Sequence, residues 1–168
     1  MIHVERKPWR EMVNHSQAVY PNECCGAMLG TIDGDTKTVT IAMQLDNTAQ
    51  GSQRAYYELR PEDLLRADKA AREQKLDLIG IYHSHPDCDA YFSETDLKNS
   101  CPWYSFIVLS VRKGRFDHAN SWPTVAGIGS GARITDVEPD DWRRIIEVNL
   151  TGTFLHVAAS FMAADPRV

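Results

Sequence analysis

Apolar positions near the start of the chain recur at helical spacing. Trp9, Met12, Val13 and Tyr20 share one side of a helix that Pro8 opens and that runs to about Tyr20. The period then changes to two. Cys25, Ala27 and Leu29 alternate toward Asp33-Gly34, and Val39, Ile41, Met43 and Leu45 alternate beyond it, which predicts a hairpin around a DG turn. The polar, glycine-containing run from Asp46 to Gln53 reads as a loop, and Ala55 to Leu59 as a short aromatic strand. Pro61 starts a second helix through Leu64, Leu65 and Ala71 to about Gln74. Leu76 to His85 is a strand, apolar enough at its start for a central place in a sheet. A loop over Asp87 to Phe92, a short helix over Ser93 to Asn99 and a break at Pro102 follow. An apolar strand from Trp103 to Val111 ends at Lys113-Gly114. This order predicts an α/β fold, a mixed sheet flanked by helices, with no internal repeat.

The pattern changes after Trp122. Pro123 to Ala132 carries Gly127, Gly129 and Gly131, and a helical pattern follows from Pro139 through Trp142, Ile145, Ile146, Leu150, Phe154, Val157 and Phe161. The expected organisation is therefore a domain over 1–122 and a glycine-rich linker with a helical tail over 123–168.

Composition narrows the class. Among 168 residues, 43% are hydrophobic and 24% charged, which places the chain with globular proteins rather than disordered ones. The net charge of -5 argues against nucleic acid as the main partner, because tracking phosphates needs clustered Lys and Arg. No apolar run approaches the roughly 18–20 residues of a membrane span, and the charged start MIHVERKPWREM lacks a signal-peptide core. A cytoplasmic location is the expectation. Cys24, Cys25, Cys88 and Cys101 form no CxxC pair and read as reduced, mostly buried thiols.

The candidate chemistry lies in GIYHSHPDCDAYFSETD, residues 80–96. His83 and His85 stand two apart on a strand, so both imidazoles point to one face. Asp96 follows early on the short helix. Two imidazoles and a carboxylate are the protein ligands of an open zinc site, with water at the fourth position. Ser93 and Asp96 also fit a helix-capping box, which would fix where Asp96 points. Cys88 and Asp89 border a groove or belong to a solvated loop; Tyr91 and Phe92 pack a substrate tail or anchor that loop. His3, His15, His118 and His156 lack a partner at ligand spacing and read as structural or exposed.

The combination His83-Ser84-His85-Pro86, six residues, then Ser93 to Asp96 resembles the JAMM/MPN+ metalloprotease family, and PNECCGAMLG resembles its first segment. The similarity covers about residues 1–122, in a compact bacterial form. It implies a cytidine-deaminase-like αβα sandwich and a zinc ion held by His83, His85 and Asp96. It implies Glu23 as general base on the metal's water and then acid to the leaving amine, and Ser93 as donor to the oxyanion. The implied substrate is a small sulfur-carrier or ubiquitin-like protein, cut after its C-terminal Gly-Gly. The alternative is a non-catalytic scaffold of the same fold that binds ubiquitin-like proteins. Residues from about Ala126 resemble an internal piece of a short-chain dehydrogenase/reductase, with Asn149 at the family's Asn, but without its glycine-rich loop or Tyr-x-x-x-Lys pair. A dinucleotide site is therefore not expected.

Overall fold

The computed structural model describes residues 1–101 and 103–122. Pro102, the linker, the tail with His156, and the dehydrogenase-like segment lie outside the described residues.

The predicted hairpin forms. Strands β2 (Cys25–Asp33) and β3 (Thr36–Leu45) pair antiparallel, Cys25 opposite Leu45 and Asp33 opposite Thr36. The loop residues are Gly34 and Asp35, and Gly34 takes the positive φ of 54° that so tight a turn requires. On its other edge β2 pairs antiparallel with β4 (Asp77–Pro86), Cys25 opposite His83. β4 then pairs parallel with β5 (Ser105–Arg112), Gly80 opposite Ser105 and His85 opposite Ser110. Two strands were not in the sequence expectation. Ile2–Val4 forms β1, parallel to β3, and Arg115–Trp122 forms β6, antiparallel to β5. The sheet order is β1-β3-β2-β4-β5-β6.

Helices cover both faces. Helix α1 (Arg6–Val19) turns Pro8, Met12, His15 and Ser16 inward at spacings of three and four. Met12 packs with Met28, Val39, Ile79, Tyr82, Ile107 and Leu109. The opposite face carries Cys25, Ala27, Leu29 and Leu45 against Ala67 and Ala71 of helix α2 (Pro61–Glu73). Beside it Ile81, Cys101, Tyr104 and Phe106 pack with Leu64, Phe92 and Trp122. The β2–β4 register shifts between Met28 and Leu29. Ile79 is the extra residue, so it shares the α1 face with Tyr82 while Ile81, His83 and His85 continue on the other.

The predicted strand at Ala55 to Leu59 is corrected. Both edges of β2 and the inner edge of β3 are already paired, and the segment adds to no strand. Its backbone is satisfied locally instead. Thr48 N–H donates to the Glu58 carbonyl (3.0 Å) and Glu58 N–H to Asn47 Oδ1 (3.2 Å). The aromatic side chains supply lining rather than a strand face.

Candidate active site

His83 and His85 end β4, and the buried Ser84 between them points to the α1 face. Ser84 was not singled out by sequence reasoning, yet it ties the site together. Its Oγ accepts from Cys24 N–H (2.9 Å), and its own N–H donates to the Cys24 carbonyl (3.1 Å). This holds the segment before β2 against the end of β4. Glu23, two residues ahead of Cys25, therefore comes to the same face as His83 and His85. The signal was present in the motif's alternation: the residue between two same-face histidines must serve the other face.

Asp96 arrives on helix α3 (Glu94–Asn99), and the capping box is formed. Ser93 Oγ accepts from Asp96 N–H (3.0 Å) while Asp96 Oδ2 accepts from Ser93 N–H (2.8 Å) and Oγ–H (2.6 Å). These bonds aim the carboxylate at the strand end. His83 Nε2 lies 3.2 Å from Asp96 Oδ1, His85 Nε2 lies 3.8 Å from Oδ2, and the two Nε2 atoms are 3.3 Å apart. All three residues are buried.

The donor set fits a zinc ion. Ligand atoms each ~2.0–2.1 Å from a tetrahedral ion stand about 3.3 Å from one another, close to the spacings observed. His85 Nδ1 lies 3.0 Å from the Asp89 carbonyl, which fixes the proton on Nδ1 and leaves the Nε2 lone pair facing the cluster. The rings are braced by aromatics: Tyr57 lies 4.6 Å from His83, and Tyr91 4.9 Å from His85, between centroids.

The electrostatics divide the carboxylates. Burial pushes the Glu23 carboxyl up to about 8; His85 opposes the shift and Asp96 adds to it. For Asp96 burial acts upward, but the adjoining His83 and His85 rings outweigh it and hold the group well below the usual carboxylate range. Burial lowers His83 against the pull of Asp96. For His85 burial acts downward, and the contacts with Asp96, the Asp89 carbonyl and Glu23 raise it overall. One carboxyl is thus kept ionised among the imidazoles, and the other is poised to hold or release a proton near neutrality.

Glu23, His85, Ser93 and Asp96 line a cleft of about 680 Å³, with Tyr56, Tyr57 and Leu59 among its walls. At its mouth Arg54 Nη2 donates to Asp87 Oδ2 (2.8 Å). Tyr91 is exposed there, whereas Phe92 is an anchor, stacked on Trp122 (5.2 Å) and close to Phe106 (5.1 Å). Cys88 is exposed at the cleft; Cys24, Cys25 and Cys101 are buried, and all four thiols are free. His15 is buried, its Nδ1 3.0 Å from the Tyr82 hydroxyl.

The chain is similar to several known proteins. A desampylase of Haloferax volcanii is 38% identical over 91 residues, 54% of this chain and 63% of that protein. The match thus spans less than two thirds of the relative's length. A CysO-cysteine peptidase of Mycobacterium tuberculosis is 28% identical over 128 residues, 76% of this chain and 85% of that protein. The solution structure of a protein from Desulfitobacterium hafniense superposes with a TM-score of 0.60 at 29% identity, covering 70% of this chain and 88% of that one. A second, from Salinibacter ruber, gives 0.54 at 32% identity, with 71% and 80% covered. The family described as prokaryotic homologs of the JAB domain matches residues 5–125. That match spans most of the described fold, and it settles the family: this chain belongs to the JAB/MPN family, among its prokaryotic homologs.

Proposed function

We propose that the chain is a zinc-dependent hydrolase that cleaves the amide or isopeptide bond after the C-terminal Gly-Gly of a small sulfur-carrier or ubiquitin-like protein. One observation carries the reading: a buried Glu23 carboxyl, raised to about 8, lines the same cleft as His85 and Asp96 of the metal-competent cluster. Family membership and the names of the desampylase and CysO-cysteine peptidase relatives support it.

His83, His85 and Asp96 would hold the ion. When bound there, zinc supplies Lewis acidity, a lowered pKa for water and a positive charge that draws Glu23 down toward neutrality. Glu23 takes a proton from the attacking water on its carboxylate oxygen and delivers it to the departing nitrogen, so one group serves as base and then acid. Ser93 stands in the cleft with its hydroxyl proton on Asp96 Oδ2. Its oxyanion role requires that proton to swing to the substrate oxygen, a contribution of about 2.7–4 kcal/mol for donors of this kind. A Gly-Gly tail brings no side chains, so it can lie extended in the cleft with its carbonyl against these groups. The loop from Asp46 to Gln53 offers little surface for gripping a large modifier, which favours a small carrier adduct.

The test is direct. The zinc-loaded chain is incubated with carrier proteins ending in Gly-Gly-Cys or Gly-Gly-Lys, and with lysine-linked ubiquitin, and mass loss is followed. The expected result is release of the residue after Gly-Gly from the small carriers. Faster cleavage of ubiquitin chains would contradict the substrate preference, and no cleavage of any of them would contradict the hydrolase.

A further inference from the structure

The loop between His85 and α3 is gripped from outside the cluster: Tyr20 and Arg54 hold Asp87 at its start, and the grips on Cys88, Asp89 and Ala90 come from the β5–β6 hairpin. Ser110 Oγ donates to the Cys88 carbonyl (2.6 Å). Asn120 Nδ2 donates to the Ala90 carbonyl (2.6 Å), and Ala90 N–H donates to His118 Nε2 (3.3 Å). His118 can accept there because its other nitrogen, Nδ1, donates to Asp117 Oδ2 (2.9 Å). Arg112 bridges the same Asp117 (3.3 Å) to the Asp89 carboxylate. Between these fixed points lies the Asp89 carbonyl, the atom that takes the His85 Nδ1 proton.

We infer that His118 and Asn120 are positioning residues for His85. His118 holds the N–H of the Asp89–Ala90 peptide and Asn120 the carbonyl of the next one; together they hold the Asp89 carbonyl in place and so keep the His85 Nε2 lone pair turned to the cluster. Ala90 is 2% exposed, so its backbone groups have little access to water when either partner is lost. The pair sits on β6, an edge strand that packs on the core through Phe116, Ala119 and Trp122, while His118 and Asn120 are spent on the loop instead. The chain of bonds runs Asp117 to His118 to Ala90, then through one peptide to the Asp89 carbonyl and the His85 ring. Partners that orient a metal-binding imidazole matter about 10–100-fold in metal affinity. Residues one step further out belong at the low end of that range. The inference rests on the reading of His85 as a zinc ligand.

The experiment uses the full chain and four proteins: wild type, His118→Met, His118→Gln and Asn120→Ala. Met keeps bulk at position 118 without a good acceptor, whereas Gln can place a carbonyl oxygen near the lost Nε2. Two quantities are measured, the nitrogen-15 ring signals of His85 in metal-free protein and the zinc dissociation constant by competition with a chelating dye. In the wild type the His85 ring is expected as a single tautomer protonated on Nδ1. His118→Met and Asn120→Ala are expected to show mixed tautomers or faster exchange of that proton, with zinc bound about tenfold more weakly. His118→Gln is expected to restore both. Unchanged His85 signals together with unchanged zinc affinity in folded variants would overturn the inference, even if their melting temperatures fall. Failure of the wild type itself to bind zinc would instead overturn the reading of the cluster, and the ring signals distinguish the two cases.

Discussion

Glu23 shows what burial does to a single group. The residue is 5% exposed, and its carboxyl is raised to about 8 from an ordinary 4.5. The folded metal-free protein therefore binds this proton more tightly than the unfolded chain does. The resulting stability is fully present below about pH 4.5 and is lost as pH rises through about 8. Glu23→Gln removes the titration. Metal-free Glu23→Gln is expected to melt higher than wild type at pH 8, by an amount on the order of a few kcal/mol. The gap should close toward pH 4.5, the ordinary value for Glu23. Parallel thermal melts at the two pH values check it, and a constant gap would show that Glu23 is already ionised in the fold. Ser93 tests a division of labour on one hydroxyl. Loss of its cap in Ser93→Ala is expected to cost about 1 kcal/mol of stability, and loss of an oxyanion donor about 10²–10³ in kcat. A stability loss with kcat intact would leave Ser93 as a cap alone. At this scale the sequence was legible where a spacing names its own geometry. His83, His85 and Asp96 are brought together as their positions suggested. Ser84 was not read, because its function lies in a bond to Cys24, 60 residues away in the chain.

The elements around the site divide into those that periodicity reveals and those it cannot. The two long helices, the β2–β3 hairpin, β4 and β5 all bury an apolar stripe, and their patterns predicted them. β6 has no fully buried residue and alternates only between exposed and half-buried positions, so its sequence RFDHANSW carries no apolar signal. Its type I′-like entry at Lys113 and Gly114, both at positive φ, was the visible half of that hairpin. β1 has only 3 residues, too few to show a period. The segment at 55–59 was misread because aromatic residues suit a strand equally well as a cleft wall. The loop before it is organised by one side chain. Asn47 donates to the carbonyls of Glu23 (3.1 Å) and Tyr56 (3.2 Å), and its Oδ1 accepts from Ala49 (3.1 Å) and Glu58 (3.2 Å). Asn47→Ala is expected to cost about 1–3 kcal/mol by orphaning these groups, and to lower kcat through misplacement of Glu23. Denaturant melts beside steady-state kinetics check this; full activity in the variant would show that the Ser84–Cys24 contacts and the Glu23 N–H bond to the Gln53 carbonyl (2.7 Å) hold Glu23 without Asn47.

The proposed ligands and base all precede residue 97, and among the described residues the last strand ends at Trp122. The family match ends at residue 125. We propose that the functional domain ends at about Trp122 and that 123–168 supplies neither a ligand nor a base. A chain ending at Trp122 is expected to fold, to bind one zinc and to keep its activity, as metal analysis, melting and turnover can establish; unfolding on truncation would place the tail in the core. Among the described residues no helix is long and apolar enough to cross a membrane. The central claim, that a buried carboxylate beside a three-ligand zinc site drives hydrolysis, is tested most directly by one comparison. Wild type and Glu23→Gln, each shown to hold one zinc per chain, are mixed in excess with a carrier ending in Gly-Gly-Cys, and the single-turnover cleavage rate is measured by mass. The account predicts equal zinc content and a rate roughly 10²–10⁴ lower for the variant; equal rates, or equal inactivity of the two zinc-loaded proteins, would contradict it.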